Sequence, residues 1–216
     1  MRPLEIRRLG ITPYGRALEI QEELVEARRC GRVSDVLLLL EHPHVITRGA
    51  NARRRPENIL ASSETLAARG VSLFDTGRGG DVTYHGPGQL VCYPIVDLRP
   101  DRCDVHRYVR DLEEVLIRTA EVFGLRVGRV RGLTGVWSGS DKVGAIGVRI
   151  SRWITSHGFA LNVSTDLDYF NLIIPCGLTS YSVTSFDKLM GRSLAIDSVE
   201  TAVIEEFAEV FNRQIA

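Results

Sequence analysis

The stretch Val36-Leu37-Leu38-Leu39-Leu40 says most about the fold of this chain. It is short and wholly apolar, which is typical of a strand buried on both faces and not of a helix of ten or more residues. We therefore predict a strand over residues 36–41 at the centre of a sheet.

Helices and further strands are predicted on both sides of this strand. The other predicted strands cover residues 4–9, 71–74, 90–96, 135–137, 142–150 and 154–162. Predicted helices cover residues 13–29, 105–123 and 198–211, with Gly31 ending the first, Asp104 capping the second, and Asp197 and Glu200 in capping-box positions of the third. Strands that come in runs, with helices interspersed, indicate an α+β fold, a mixed and largely antiparallel sheet flanked by helices. With no internal repeat and no long linker, residues 1–216 are predicted to form a single domain.

Composition and charge exclude several classes of protein. The 27 basic residues balance the 27 acidic ones, which gives no reason to expect nucleic acid or an anionic membrane as a partner. The first residues lack a signal-peptide pattern, and no apolar run is long enough to span a bilayer, so we expect a cytoplasmic protein. The four cysteines show no CxxC pair and no zinc spacing, so neither disulfides nor a metal site is expected.

The basic residues are distributed unevenly between the two types. Lys142 and Lys188 are the only lysines, and the other 25 of the 27 basic residues are arginines. A lysine retained in such a background is a candidate for a task that arginine cannot perform, namely losing its proton. The alternative is that Lys142 is simply an exposed lysine after a loop.

A run rich in glycine and polar residues is the first candidate for a ligand site. It reads Arg78-Gly79-Gly80-Asp81-Val82-Thr83-Tyr84-His85-Gly86-Pro87-Gly88-Gln89. Its glycines let the backbone approach a ligand closely, and its polar side chains supply hydrogen-bonding groups within the same short span. We interpret it as a loop that holds a ligand.

Cys176, between Pro175 and Gly177, is the candidate nucleophile. Cys30, Cys92 and Cys103 are interpreted as inert, since an unpaired cysteine usually behaves as a small buried apolar residue. A thiol with a pKa of about 8.5 needs an activating partner at neutral pH. His85, His157 and Lys142 are the candidates, and the rarity of lysine favours Lys142.

Two segments with small residues follow Lys142. They read Lys142-Val143-Gly144-Ala145-Ile146-Gly147-Val148-Arg149 and His157-Gly158-Phe159-Ala160-Leu161-Asn162-Val163. On adjacent strands, their small side chains would leave a slot suited to an extended aliphatic ligand. Close packing of a helix is the alternative explanation.

The glycine-rich run, these two segments and Pro175-Cys176-Gly177 together resemble the lipoyl(octanoyl) transferases of lipoate biosynthesis, which are related in fold to the lipoate and biotin protein ligases. The four blocks occur in the family's order and span most of the chain. Gly144, where the family often has alanine, is a mild departure.

The resemblance implies an octanoyltransferase with a Cys/Lys dyad and no cofactor. The donor would be octanoyl-acyl carrier protein, and the acceptors would be lipoyl domains of 2-oxoacid dehydrogenases and glycine-cleavage H protein. Cys176 would carry the acyl group as a thioester, and Lys142 would control the protonation of the Cys176 thiol. The implied substrate-binding residues are Arg78, Gly79, Gly80, Asp81, Val82, Thr83, Tyr84, His85, Ala145, Ile146, Gly147, Gly158, Phe159 and Ala160.

Three other functions remain open at this point. An ATP-dependent lipoate ligase on the same fold would need no nucleophilic cysteine. A non-enzymatic module would bind carrier domains without forming an adduct. A thioesterase would release free octanoate even when an acceptor is present.

Overall fold

The computed structural model describes residues 1–52, 56–174 and 181–216. Pro175, Cys176 and Gly177 lie outside the described residues. The helices are α1 (Tyr14–Arg29), α2 (Ser63–Ala68), α3 (Val105–Val122), α4 (Phe186–Met190) and α5 (Ile196–Phe211). The strands are β1 (Arg2–Ile11), β2 (Asp35–Glu41), β3 (Val45–Arg48), β4 (Ser72–Asp75), β5 (Val82–His85), β6 (Gln89–Ile95), β7 (Val136–Ser138), β8 (Asp141–Ser151), β9 (Ile154–Asn162), β10 (Ser182–Val183) and β11 (Arg213–Ile215). Short 3-10 helices cover Pro56–Asn58 and Leu167–Leu172.

A mixed sheet forms the centre of the molecule, in the strand order β10-β8-β9-β6-β2-β1-β11, with β7 paired to β8. β6 lies antiparallel between β2 and β9, and β8 and β9 form an antiparallel hairpin. β2 and β11 run parallel to β1. The prediction that residues 36–41 form a central strand is confirmed, because β2 has a neighbour on each side.

Alternation of side chains along β2 builds two cores. Leu37 and Leu39 pack in the core that α3 and α5 cover, whereas Leu38 and Leu40 face α1 on the opposite side of the sheet. All four side chains are 0% exposed. Burying a leucine stabilises the fold by roughly 1.5–3 kcal/mol relative to leaving it exposed. This strand therefore holds helices on both faces of the sheet, and the predicted α+β class is confirmed.

A second, three-stranded sheet carries part of the glycine-rich run. β3 pairs parallel with β4 and antiparallel with β5. The prediction of one loop over residues 78–89 is wrong in part, because residues 82–85 of this run form β5. Val82 and Tyr84 from β5 are buried in a small core with Phe170. Strands of four residues carry too few alternations to be distinguished from a loop by pattern alone.

The helix ends confirm the predicted cap of α3 and the predicted stop of α1, but not the predicted capping box of α5. The Asp104 side chain accepts a hydrogen bond from the Arg107 backbone N–H at 3.1 Å, which confirms the cap of α3. Gly31 follows α1 with a φ of +68°, as a helix stop requires. The capping box at Asp197 and Glu200 is wrong, because α5 begins earlier, after Ala195, and has no side-chain cap. Asp197 instead lies in the first turn, where its negative charge favours the helix dipole.

Across residues 1–52, 56–174 and 181–216, no helix combines the length and apolar character needed to cross a membrane. In the same ranges, no group of three or more His, Cys, Asp or Glu residues is arranged to hold a metal ion.

Candidate active site

A cavity lies on the α1 side of the large sheet, where the glycine-rich run meets the β8–β9 hairpin. It contains about 490 Å³ of space that no protein atom fills, its opening to solvent included. All of the predicted substrate-binding positions except Gly79 and Tyr84 line it: Arg78, Gly80, Asp81, Val82, Thr83, His85, Ala145, Ile146, Gly147, Gly158, Phe159 and Ala160. Four residues outside that prediction, Tyr14, Val91, Tyr93 and His157, complete the lining.

Arg78 organises the glycine-rich run from within. Its side chain is buried, and its guanidinium donates to the carbonyl oxygens of Thr47 and Asp81 at 2.8 Å each and to that of Gly79 at 3.0 Å. It also donates to the Thr47 hydroxyl at 2.9 Å. Five donors in a fixed fork suit arginine to such a role. Arg78 therefore fastens the run to β3.

Close packing requires glycine at two positions of the β8–β9 hairpin. A Cβ atom at Gly147 would lie 3.1 Å from Cδ of Arg78, and one at Gly158 would lie 2.2 Å from the Cys92 carbonyl oxygen. The Gly79 N–H donates to the Val148 carbonyl at 2.9 Å, which holds the glycine-rich run on β8. Ala145 pairs with Ala160, and Gly147 pairs with Gly158. The predicted adjacency of the two small-residue segments is confirmed.

Asp81 and Tyr84 are held in different ways. The Asp81 carboxylate is buried and accepts from Asn58 Nδ2 at 2.7 Å and from the Val82 N–H at 2.8 Å. The Tyr84 hydroxyl lies 2.8 Å from Nδ1 of His44, and its ring stacks on Tyr169. Burial raises the pKa of Tyr84 well above its ordinary value. Tyr84 thus packs in the core of the small sheet and does not line the cavity.

The imidazoles near the cavity are uncharged at neutral pH. Burial lowers the pKa of His42 and of His157 to about 4 and that of His85 well below its usual range. Nδ1 of His42 donates to the Thr12 carbonyl at 2.7 Å, so its Nε2 accepts from the Tyr93 hydroxyl at 2.8 Å.

His85 makes a comparable buried contact. Its Nδ1 lies 2.6 Å from Oε1 of Gln89, to which it donates. Gln89 Nε2 in turn donates to Oδ1 of Asn162 at 2.8 Å. Because burial lowers the pKa of both rings, His85 and His157 are poor sources of the positive charge that would stabilise a thiolate.

Lys142 lies near one end of the cavity. It is 9% exposed on β8, and its Nζ is 4.6 Å from the centre of the Trp137 ring. It lines a small hollow together with Thr83, Ala145 and Ala160, which also line the cavity. The lysine thus shares a wall with the predicted pocket.

A buried carboxylate holds the backbone beside Lys142. Glu113 on α3 is 0% exposed, and its Oε1 accepts from the Gly135 N–H at 3.1 Å. Gly135 has a φ of +112°, and a Cβ there would lie 2.5 Å from the Gly144 carbonyl oxygen and 3.6 Å from Cε of Lys142. Only glycine fits this position.

The described residues that flank the Cys176 segment are attached near Lys142. Ile174 donates its N–H to the Asn58 carbonyl at 2.8 Å, and the Asn58 side chain binds Asp81. On the other side, the Tyr181 ring packs on Trp137 with centroids 5.1 Å apart. Thr184 donates its N–H to the Lys142 carbonyl at 2.9 Å.

The other three cysteines differ in their surroundings. Cys92 is buried, and burial raises the pKa of its thiol well above the ordinary value, so it stays protonated. Cys30 and Cys103 are exposed free thiols, contrary to the expectation of burial. Cys30 is exposed because it stands at the C-terminal cap of α1.

Comparison with known proteins assigns the family. A family model described as the lipoyl protein ligase A/B catalytic domain matches residues 13–208. The chain belongs to this family. An octanoyltransferase of Solibacter usitatus is 54% identical over 212 residues, which cover 98% of this chain and 94% of that protein.

Solved structures of lipoate ligases share the fold. A lipoate-protein ligase A bound with ATP matches with a TM-score of 0.76 at 18% identity, over 98% of this chain and 87% of the other. A bipartite lipoate protein ligase from Thermoplasma acidophilum, studied with its E2 lipoyl domain, matches with a TM-score of 0.72 at 18% identity, over 100% of this chain and 86% of the other. The predicted ligase-like fold is confirmed.

No functional role was predicted from the sequence for Trp137, Tyr14 or Tyr93. Trp137 carried a usable signal, since it stands in a predicted strand just before the one that begins with the rare Lys142. Tyr14 and Tyr93 gave none, because each reads as an ordinary core aromatic residue within its predicted element. Their place at the cavity depends on how the helix and the sheet pack.

Proposed function

We propose that this protein is an octanoyltransferase of protein lipoylation. It takes an octanoyl group from octanoyl-acyl carrier protein and transfers it to a specific lysine of lipoyl domains or of glycine-cleavage H protein. The observation that carries the proposal is the cavity between the glycine-rich run and β8–β9, whose wall Lys142 shares. The 54% identity to a protein named octanoyltransferase supports the same activity.

The first half of the reaction forms an acyl-enzyme. The thiolate of Cys176 attacks the carbonyl carbon of the donor thioester, and the bond from that carbon to the carrier sulfur breaks. The carrier thiol leaves with a proton from the Lys142 ammonium, which leaves Lys142 neutral. The attachment of Ile174 and Thr184 beside Asp81 and Lys142 supports this pairing, since these residues flank the Cys176 segment.

The second half forms the amide. The acceptor lysine's amine attacks the Cys176 thioester, the neutral Lys142 takes a proton from that amine, and Cys176 leaves as a thiolate. Lys142 is then an ammonium again, so acid and base steps balance over one turnover. No nucleotide or other cofactor enters, because a thioester is already activated for amide formation.

The cavity would bind the acyl chain along the small residues of β8 and β9. Burying about six methylenes at roughly 0.8 kcal/mol each would contribute about 5 kcal/mol of binding that depends on the acyl chain. The uncharged His85, which lines the cavity, suits this role, because a charged imidazole there would oppose an apolar chain.

We further propose that residues 1–216 act as one acyltransferase domain. The family model covers residues 13–208. Beyond that match, β1 pairs with both β2 and β11, which brings both ends of the chain into the central sheet.

Intact-mass spectrometry tests the proposal. After incubation with octanoyl-acyl carrier protein and no ATP, we expect one octanoyl adduct that hydroxylamine removes, as it removes thioesters. The adduct should be absent from the Cys176→Ala variant and should form more slowly in Lys142→Ala. Lys188→Ala, which changes the chain's other lysine, is the matched control and should behave as the unchanged protein does.

Other outcomes would point to other functions. Acceptor modification that needs ATP and survives Cys176→Ala would indicate a ligase. No adduct under any condition would indicate a module that only binds carrier domains. Free octanoate in the presence of a lipoyl domain would indicate a thioesterase.

A further inference from the structure

His157 stands at the boundary between two cavities. It lines the cavity described above, and it also lines a groove on the far side that includes Glu22, Arg29 and Arg149. Within the described ranges it is the one residue common to both linings. Its side chain is buried, so the imidazole itself forms part of the partition.

The pairing of β8 with β9 sets the direction of the cavity. From Lys142, the rungs that follow are Ala145 with Ala160, Gly147 with Gly158, and Val148 with His157. His157 therefore lies at the end that is remote from Lys142. The three residues from the Ala160 rung to the His157 rung span roughly 10 Å at 3.3 Å per residue. An extended octanoyl chain, with carbon–carbon bonds of about 1.5 Å, spans roughly 9 Å.

An unusual backbone conformation aims the imidazole into this position. In a regular strand, His157 would face the same side as Phe159 and Leu161, which lie in the α3–α5 core. Instead it has a φ of +54°, a conformation that costs free energy in a residue with a side chain. Its ring packs edge-on against Tyr93, on the α1 side of the sheet, with centroids 6.1 Å apart.

A hydrogen bond holds the backbone of His157 in this conformation, but the ring is not fully hydrogen-bonded within the described residues. The His157 N–H donates to Oε1 of Gln21 at 2.7 Å, which ties the strand to α1. Nδ1 of His157 is buried and has no hydrogen-bond partner in the part of the chain that the structure describes. A strained backbone and an unsatisfied buried nitrogen are a poor solution for packing alone, so they indicate a functional reason.

We propose that His157 is the end wall of the acyl cavity and determines the longest acyl chain that the enzyme accepts. This inference rests on the proposed octanoyl transfer. A chain longer than octanoyl would have to displace the ring and enter the groove behind it, where Glu22, Glu26 and Arg29 make a polar environment for an apolar tail. The methyl end of an octanoyl chain would instead meet the imidazole.

The test compares transfer from octanoyl-, decanoyl- and dodecanoyl-acyl carrier protein in the unchanged protein and in His157→Gly. Glycine removes the ring and also adopts a positive φ at no steric cost, so the fold should tolerate it. We expect the ratio of kcat/KM for dodecanoyl to that for octanoyl to rise by at least about tenfold. Ser156→Ala is the matched control, since Ser156 lines only the groove, and its ratio should not change.

A second measurement separates this inference from the transfer itself. Calorimetry of octanoate and dodecanoate binding needs no turnover, and His157→Gly should gain dodecanoate affinity relative to octanoate. If no acyl group is transferred but this gain is seen, the proposed function fails and the end wall stands. If transfer occurs and both ratios stay as in the unchanged protein, the end wall is wrong. Should His157→Gly fail to fold, His157→Asn serves instead, because asparagine tolerates positive φ and is shorter.

Discussion

At the scale of single residues, the surroundings of Lys142 matter most. Only two lysines occur among 27 basic residues, and one of them is 9% exposed beside the cavity. The sequence could single out this lysine by its rarity. It could not reveal the Trp137 ring beneath Nζ, because that contact depends on how β7 pairs with β8.

Replacing Trp137 with leucine should slow acyl transfer about fivefold. The ring holds the Lys142 ammonium by a cation–π contact, and losing an interaction of about 1 kcal/mol corresponds to a factor of that size. Single-turnover rates of transfer from octanoyl-acyl carrier protein measure the effect. Trp137→Phe keeps an aromatic face and should retain most of the rate. A Trp137→Leu rate equal to that of the unchanged protein would remove this contact from the mechanism.

At the scale of elements, α3 fixes the backbone on which Lys142 rests. Glu113 accepts from Gly135 and also binds Arg110 at 2.5 Å and Arg129 at 3.0 Å. The capping residue Asp104 made α3 predictable from the sequence. The buried glutamate gave no signal, because an acidic residue on a helix usually lies on the solvated face.

The Glu113→Leu variant should be less stable by about 3 kcal/mol, because two arginines and the Gly135 N–H lose a buried partner. Glu113→Gln, which keeps an acceptor oxygen, should lose less. Urea denaturation measures both. Glu114→Gln is the control: its ion pairs with Arg118 and Arg129 are partly exposed, so it should cost no more than about 1 kcal/mol. Equal losses at positions 113 and 114 would contradict this account.

At the scale of the whole molecule, the site lies where the two sheets meet. The apolar run at residues 36–40 and the small residues at 144–160 made the large sheet predictable. In the small sheet, only β4 was predicted, as a strand over residues 71–74. β3 and β5 were missed because each is only four residues long, and with them the junction that forms the cavity. His157 could not be predicted as a cavity residue, since regular alternation assigns it to the other face.

The buried histidines should make the protein sensitive to acid. Below about pH 6.5 the unfolded chain takes up a proton on His42 and on His157, whereas the lowered pKa of about 4 keeps both rings neutral in the folded protein. Stability should therefore fall as the pH falls from about 6.5 to about 4, by up to about 1.4 kcal/mol per pH unit for each ring.

Urea denaturation across this pH range measures the slope. The His42→Gln variant should have a smaller slope of unfolding free energy against pH, because one of the two rings no longer contributes to it. This expectation holds whatever the stability of the variant at neutral pH. His106→Gln, which changes an exposed histidine of α3, is the matched control. A flat profile between pH 6.5 and 4 would show that these rings are not kept neutral by burial.

In the reaction that we propose, an octanoyl group passes through a thioester on Cys176, and Lys142 donates and accepts the protons. The most direct measurement starts from isolated octanoyl-enzyme, freed of donor, and adds a lipoyl domain without ATP while intact masses of both proteins are followed. We expect the octanoyl mass to leave the enzyme and to appear on one acceptor lysine at the same rate, and we expect Lys142→Ala to slow both changes together. An acyl-enzyme that stays loaded, or that releases octanoate to water while the acceptor is unmodified, would contradict it.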